Sequence, residues 1–369
     1  MHIHPFQAVY PNADLIASAD YFFASVKEEF NHYVQRGFYK KLPQEGLYVH
    51  QIVGERRTYT GMIACLDILD YLDGNIKKHE NTIAAAEQEQ MRLMLWRNAM
   101  VKPVMLTYRN ADDVKTILER QTQRREPFLE VHFEEVSQLH RFWEISDWQT
   151  IEQLQRTFLE QVPHTYIADG HHRISTTALM FKRHKGNPGD NPYRWLLSAL
   201  YPASELEIHD FNRIIEGLND LSPAVLMAKL SKLFEIDLLH EAQKPSQKHE
   251  LTMYLDRHWF RLRWREQVLA EFSHQPVVLD VTMLNEKVLS GILGIKDVRT
   301  DARVKYFEGV KGLGSLKDKT LRSDERLAFC LYPVAMDDFL AVSDAGGILP
   351  PKSTWFEPRI RSGLLVKQL

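Results

Sequence analysis

The sequence predicts a mixed α/β (α+β) protein, with one α/β domain over residues 1–219 and a second over residues 220–369. Strand-like and helix-like segments alternate along the chain, which favours this class over a helix bundle or a β-sandwich. The chain has 369 residues, a length that suggests two domains more readily than one. The turn and helix start at Asn219-Asp220-Leu221-Ser222-Pro223 mark the predicted boundary.

Hydrophobic spacing predicts the elements of the first domain. A helix over residues 20–36 places Phe22, Phe23 and Val26 near helical spacing. The apolar run from Tyr166 to Ala168 predicts a buried strand, and a helix is expected from Ser175 onwards. The other predicted elements are strands at 47–53, 57–69, 102–108, 128–136 and 194–201, and helices at 83–100, 112–125 and 150–161.

The second domain is predicted to contain helices and a strand meander. Helices are expected at 223–233, 280–293 and 334–344, and strands between residues 235 and 272. The last helix should stop at Gly346-Gly347. The glycine-rich segment 309–315 lacks the Lys-Ser/Thr pair that completes a P-loop, so a mobile loop is predicted there.

Composition and charge limit the classes of partner. The formal net charge is −3, which gives no electrostatic case for nucleic acid or an acidic membrane surface. No stretch approaches the roughly 18 apolar residues of a membrane span, and no signal peptide is recognisable. Cys65 and Cys330 lie in apolar runs and are expected to be reduced core residues. The protein is expected to be cytoplasmic, and its sequence does not indicate an oligomeric state.

The predicted functional centre is the sequence Asp169-Gly170-His171-His172-Arg173, called the central box below. A strand that turns tightly into a helix leaves backbone N–H groups unpaired where the helix macrodipole is positive. The guanidinium of Arg173 can donate two parallel hydrogen bonds to a phosphate, and both histidines can donate hydrogen bonds. These features favour an anion, most plausibly a nucleotide phosphate. The alternative is an ordinary Asp-Gly turn with solvated histidines.

A second polar segment, His79-Glu80-Asn81-Thr82, precedes the helix predicted at 83–100. Taken alone, it is best explained as a capping segment with Asn81 or Thr82 as the N-cap. A further candidate, Gly54-Glu55-Arg56-Arg57, matches a phosphate-binding box of ParB proteins. That box lies between two predicted strands and lacks a helix start, so a charged hairpin turn is predicted instead.

Three blocks together resemble the SerK-like family, which is related to the free serine kinases. The blocks are the His79-Glu80-x-Thr82 segment, the central box with Thr177-Ala178 after it, and Pro351-Lys352-Ser353-Thr354. They occur in the family's order and extend nearly from end to end of the chain. The central box is also similar to the phosphate-binding boxes of sulfiredoxin and ParB proteins, which implies a ParB/sulfiredoxin-like nucleotide-binding domain in the first part.

The resemblance implies Mg²⁺-dependent phosphoryl transfer from ATP or ADP to the hydroxyl of a small metabolite, with free L-serine as the leading acceptor. Glu80 matches the general base, and Asp169 and His172 are assigned with it to the catalytic group. Asp169 could also orient the Mg²⁺ ion. The remaining implied residues are Gly170, His171, His172, Arg173, Lys352, Ser353 and Thr354 for the nucleotide phosphates, and His79 and Thr82 for the substrate.

Three other functions compete with this prediction. A nucleotide-binding switch would bind or slowly hydrolyse a nucleotide, but it would need no base such as Glu80. Nucleic-acid binding is suggested only by the similarity to ParB proteins, and the net charge argues against it. A zinc enzyme is disfavoured, because the adjacent His171 and His172 cannot form an i, i+4 pair and neither cysteine is near them in sequence.

Overall fold

The computed structural model describes residues 1–186, 190–321 and 326–369 as a mixed α/β structure. The chain divides into two compact units. The first unit contains Met1–Leu206 together with Pro358–Leu369, and the second contains Glu207–Glu357. The predicted division was at residue 219, and the predicted second domain extended to the last residue.

A nine-stranded sheet forms the centre of the first unit. Its strands follow the order β6-β11-β8-β12-β5-β4-β10-β9, with β1 pairing with β5. They are β1 (Ile3–His4), β4 (Leu47–Val53), β5 (Thr58–Asp67), β6 (Ile76–Lys77), β8 (Val104–Tyr108), β9 (Leu129–Phe133), β10 (Gln138–Ile145), β11 (Thr165–Asp169) and β12 (Trp195–Pro202). The pairs β11–β6 and β12–β8 are parallel and the other pairs are antiparallel. β11 therefore ends, at Asp169, beside the interior strand β8.

Helices with an apolar face pack on this sheet. In the helix Trp148–Gln161 (α5), Leu154 and Phe158 are fully buried and join the same core cluster as Leu106 of β8. The helices of this unit are α1 (Ala19–Gln35), α2 (Ile68–Leu72), α3 (Ala84–Arg97), α4 (Asp112–Arg124), α5 (Trp148–Gln161) and α6 (His171–Arg183). A smaller sheet has the strand order β3 (Tyr39–Lys41), β2 (Ala8–Pro11), β21 (Val366–Gln368) and β7 (Ala99–Met100).

The second unit contains a six-stranded antiparallel sheet and a short two-stranded one. The first sheet has the order β15 (Phe234–Leu239), β17 (His258–Trp264), β16 (Glu250–Leu255), β19 (Arg326–Leu331), β14 (Phe211–Glu216) and β18 (Val304–Glu308); β13 (Glu207–His209) pairs with β20 (Trp355–Glu357). The helices are α7 (Pro223–Leu230), α8 (Glu266–Glu271), α9 (Asp280–Met283), α10 (Gly312–Thr320) and α11 (Met336–Asp344).

Two differences from the sequence predictions have clear physical causes. β14 hydrogen-bonds to β18 and β19, so the chain joins the second unit before the turn at residue 219. The segment predicted as a mobile loop at 309–315 is a 3-10 turn followed by the start of α10, so that prediction was wrong. Gly312 has a φ of 79°, which lets the backbone turn directly into the helix.

Several predicted elements are confirmed. The helix predicted at 20–36 is α1, and the strands flanking Gly54 form the β4–β5 hairpin. The Gly54 N–H donates to the Arg57 carbonyl, as expected for a hairpin turn. Cys65 and Cys330 are buried free thiols.

None of the helices in the ranges that the structure describes combines the length and the hydropathy of a membrane span.

Candidate functional site

The central box forms a sharp turn from β11 into α6. Gly170, the residue before the helix, has a φ of 116°, which favours glycine. A Cβ at this position would also lie 2.8 Å from Cζ of Arg173. The first backbone bond of the helix is from the Arg173 N–H to the Gly170 carbonyl. The N–H groups of His171 and His172 therefore precede the helical ladder, at the positive end of the macrodipole.

Arg173 holds this turn together. Its guanidinium donates to Oδ2 of Asp169 at 2.7 Å, to the Lys102 carbonyl at 3.4 Å and to the Pro103 carbonyl. Both terminal nitrogens of the guanidinium therefore donate to protein acceptors. The sequence predicted instead that this guanidinium would bind a phosphate directly. Arg173 is placed to position the turn.

Lys102 is the cationic neighbour that the sequence prediction missed. Its Nζ lies 3.1 Å from Oδ2 of Asp169. Burial opposes ionisation of the Asp169 carboxyl, but the charges of Arg173, Lys102 and Arg359 outweigh it and hold its pKa well below the usual range. Burial, with the nearby Arg173, lowers the pKa of Lys102 to about 8, although Asp169 opposes this shift. The one carboxylate is thus outnumbered by cations.

This arrangement does not fit Asp169 as a ligand of Mg²⁺. Its Oδ2 already accepts from two positively charged side chains, and a third cation nearby, Arg359, adds to the local positive charge. A divalent cation at this carboxylate would be repelled by these neighbours. The surplus of positive charge instead suits an anion. A charged residue between the apolar Val101 and Pro103 is the sequence signal that could have drawn attention to Lys102.

The His79-Glu80 segment lies beside the start of α6. His79 and His171 are buried, with ring centroids 4.4 Å apart, and Oε2 of Glu80 lies 3.8 Å from Nδ1 of His171. The Glu80 side chain is 46% exposed. The structure thus brings together three residues that the sequence predicted for separate catalytic, substrate and phosphate roles.

The start of α3 differs from the predicted cap. Its N-cap is Ile83, which offers no side-chain bond, so the prediction of Asn81 or Thr82 was wrong. The Ile83 N–H donates instead to Nε2 of His172 at 3.1 Å, and the Thr82 side chain hydrogen-bonds with Glu87. The sequence predicted His172 as a catalytic and phosphate-binding residue. In this structure its ring instead accepts a hydrogen bond from the backbone at the start of α3.

A cleft of about 200 Å³ opens beside these residues. It is lined by Tyr71, Lys78, Glu80, Asn81, Thr82 and His171. One wall is thus a half-exposed carboxylate, another is a lysine, and a third is the first residue of α6. The cleft can accommodate a small polar group next to Glu80.

Burial keeps both histidines beside this cleft uncharged near neutral pH. Burial lowers the pKa of His171 to about 4; His172, Arg173 and Lys78 add to this shift, whereas Asp169 opposes it. Burial and the neighbouring His171 ring also hold the pKa of His79 well below its usual value, despite a hydrogen bond with the Ile167 backbone. Neutral imidazoles can accept as well as donate.

The predicted C-terminal residues belong to the second unit, where Lys352 and Ser353 have local contacts. Nζ of Lys352 lies 5.5 Å from the centre of the Phe211 ring, and the Ser353 hydroxyl donates to the Pro350 carbonyl at 2.5 Å. Ser353 is buried, whereas Thr354 is partly exposed. The participation of Lys352, Ser353 and Thr354 in a phosphate site stays a prediction.

The fold and the cleft define a mixed α/β protein with a carboxylate, a cation and a helix start around one small opening. The family described as "Protein of unknown function (DUF1015)" matches residues 6–282, and the chain belongs to this family. No curated protein sequence matches it.

Solved structures with some similarity to this chain share little sequence with it. SbnI with a C-terminal truncation from Staphylococcus aureus is 11% identical, with a TM-score of 0.42 over 82% of this chain and 85% of that one. Free serine kinase in complex with AMP is 12% identical, with a TM-score of 0.39 over 80% and 86%. A conserved hypothetical protein from Pyrococcus furiosus is 11% identical, with a TM-score of 0.40 over 83% and 95%.

Proposed function

We propose that the protein transfers a phosphoryl group from a nucleotide to the hydroxyl of a small metabolite. The observation that carries this proposal is the cleft that places Glu80, Lys78 and the first residue of α6 around about 200 Å³ of space. Phosphoryl transfer requires mainly positioning and neutralisation of charge. A helix start supplies N–H donors for phosphate oxygens, a lysine supplies charge, and a carboxylate can accept a proton.

In this proposal Glu80 acts as the general base. It would accept the proton of the acceptor hydroxyl as the oxygen–phosphorus bond forms and the bond to the bridging oxygen of the nucleotide breaks. The leaving nucleotide keeps the electron pair of the broken bond. Glu80 suits this role because its side chain is half exposed and lines the cleft. A glutamine at this position would keep the size of the side chain and lose the base.

The cations behind the central box support binding of the nucleotide phosphates. Lys102, Arg173 and Arg359 outnumber the single carboxylate Asp169, and the backbone N–H groups of His171 and His172 lie at the same turn. Arg173 would act by positioning, because its nitrogens hold Asp169 and the carbonyls before β8. Any Mg²⁺ would then accompany the nucleotide, since Asp169 does not fit as its ligand.

Free L-serine is the leading acceptor, because the three sequence blocks resemble those of the SerK-like family. His79 and Thr82 were assigned to substrate binding on that resemblance. Thr82 lines the cleft, and His79 contacts His171, which also lines it. Lys352, Ser353 and Thr354 remain proposed phosphate-binding residues. The donor, ATP or ADP, is left open, because contacts to phosphates do not identify the nucleotide.

The test uses purified protein with Mg²⁺ and either ATP or ADP, with and without L-serine. Phosphoserine and the nucleotide product are quantified for the wild type and for Glu80→Gln. Loss of a general base typically costs about 10²–10⁴-fold in rate, so this variant should be nearly inactive. Glu160→Gln, an exposed position on α5, is the matched control and should retain wild-type turnover.

Nucleotide affinity separates the possible outcomes. Glu80→Gln should bind nucleotide within a few-fold of wild type, because the removed charge serves the acceptor. Binding without transfer to serine would direct the search to other hydroxyl metabolites, or to a nucleotide-binding switch if none is phosphorylated. Absence of nucleotide binding in the wild type would overturn the proposal.

A further inference from the structure

Three potential metal ligands meet at the wall of the cleft. His79, Glu80 and His171 each offer a nitrogen or oxygen, and these atoms all lie within 4.8 Å of one another. A tetrahedral ion with bonds of about 2.0–2.1 Å holds its ligand atoms ~3.4 Å apart. The 3.8 Å separation between Glu80 and His171 is already near that value. Glu80 is half exposed in an irregular segment, so its carboxylate can shift toward the two rings.

The backbone orients one of the two imidazoles. A ring N–H of His79 donates to the carbonyl of Ile167, in β11. A histidine whose one nitrogen donates to a backbone carbonyl presents the lone pair of the other nitrogen, and metal-binding histidines are commonly held in this way. His171 is fixed by its place in the first turn of α6, and both rings are buried.

We infer that His79, Glu80 and His171 form a binding site for one divalent transition-metal ion. Two imidazoles and one carboxylate suit zinc or another first-row ion better than Mg²⁺, which prefers oxygen ligands. The adjacent cleft leaves an open coordination position for water or for a substrate oxygen. The positive charge of Lys78, which also lines the cleft, repels any cation there. A bound metal ion therefore requires strong ligands such as the two imidazoles.

This inference concerns binding and does not depend on the proposed phosphoryl transfer. It pairs His171 with a residue 92 positions away, whereas the sequence-based argument against zinc considered only the adjacent His172. A metal ion held here would occupy the Glu80 carboxylate, so metal binding and the proposed general-base role are alternative states of that residue.

The test is a calorimetric titration of the chelator-treated full chain with Zn²⁺, without nucleotide or acceptor. One tight equivalent is expected, and excess Mg²⁺ should not displace it. Co²⁺ should give the visible d–d absorption of a low-coordinate nitrogen and oxygen site. If the chain shows no saturable tight equivalent of Zn²⁺, the inference is overturned, whatever the outcome of the serine phosphorylation assay.

Variants determine whether the bound ion is at this site. His171→Ala should weaken Zn²⁺ binding by about 100-fold or more, a loss at or above that seen when supporting residues are removed. Glu80→Gln, at a half-exposed position that tolerates substitution, should weaken it as well and covers the case in which His171→Ala does not fold. His132→Ala removes an exposed histidine of the same unit and should bind like wild type. Equal affinity in Glu80→Gln and His132→Ala would assign the zinc elsewhere and refute the proposed site.

Discussion

Two pairs of buried histidines lie in the first unit, and they differ in what surrounds them. His79 and His171 adjoin the half-exposed Glu80 and the cleft. His50 and His140, which we call the sealed pair, lie on the neighbouring strands β4 and β10 with exposed fractions of 1% and 0%. Burial thus neutralises both pairs, but among the described residues only the first pair has a carboxylate and an opening beside it. Imidazole burial by itself does not indicate a site.

The sealed pair belongs to a chain of hydrogen bonds inside the sheet. The Tyr201 hydroxyl lies 2.8 Å from Nδ1 of His50, and Nε2 of His50 lies 3.1 Å from Nδ1 of His140. Phe142 stacks on the His50 ring at 4.3 Å. Burial lowers the pKa of His50 to about 3, because an added proton would have neither water nor a carboxylate as partner. This pair is suited to packing and not to ligand binding.

The largest expected effect comes from removing a ring of the sealed pair. His50→Ala leaves a cavity against Phe142 and deprives Tyr201 and His140 of a hydrogen-bond partner. We expect the free energy of unfolding to fall by about 3–5 kcal/mol, as for other large buried rings. Urea denaturation measures this, with His132→Ala as the exposed control. A loss below about 1 kcal/mol would show that the chain of hydrogen bonds contributes little to the sheet.

A smaller effect is expected from pH. The unfolded chain takes up a proton at His50 below a pKa of about 6.5, whereas the folded chain resists it until about 3. Stability from this residue is therefore present above pH 6.5 and is lost as the pH falls towards 3. The loss between pH 7 and 4.5 is about 2–3 kcal/mol.

Comparison with a His50→Gln variant isolates this contribution from that of the carboxylates. The difference in unfolding free energy between wild type and variant should narrow as the pH falls from 7 to 4.5. Parallel curves would mean that His50 titrates normally in the folded chain, which would contradict its sealed environment.

A still smaller effect is expected on the side of the cleft, at Lys102. Lys102→Met should weaken nucleotide binding by about 1.5 kcal/mol, or roughly tenfold, because it removes one of the cations that outnumber Asp169 behind the central box. In wild type the affinity should also fall as the pH rises through about 8, because Lys102 loses its proton there. The variant should lack this step, and Lys115→Met, at an exposed position on α4, should retain it. Nucleotide titrations between pH 7 and 9 measure both the loss of affinity and its pH dependence.

The smallest effect concerns His172, which lies next to the cleft pair but fastens α3. His172→Ala removes the acceptor of the Ile83 N–H and should destabilise the start of α3 by about 0.5–1 kcal/mol. Hydrogen exchange at Ile83 should accelerate about twofold to fivefold, while Zn²⁺ affinity stays unchanged. A large loss of Zn²⁺ affinity would instead make His172 a ligand and change the composition of the proposed metal site.

The sequence predicted what local signals determine. The apolar periodicity of α1, the hairpin around Gly54 and the Asp-Gly turn into α6 are each encoded within a few residues, and each is present. The mixed α/β class followed from the alternation of elements. The start of α10 was missed because a glycine with positive φ can open a helix as well as extend a loop.

The site required information that local sequence does not contain. Lys102 meets Asp169 across 67 residues, and His79 meets His171 across 92. No periodicity or spacing rule predicts such contacts, because they depend on which strands become neighbours in the sheet. The same holds for Ile83, whose partner His172 comes from a distant turn and replaced the predicted local cap.

The return of Pro358–Leu369 to the first unit has a consequence for biosynthesis. β21 pairs with β2 on one side and β7 on the other, so the smaller sheet of that unit needs a strand translated after the whole second unit. Glu207 and Glu357, where the second unit begins and ends, are direct partners across β13 and β20. The second unit is therefore inserted at a single point of the first. On the ribosome, the inserted unit can fold while the unit that hosts it still waits for its last strand.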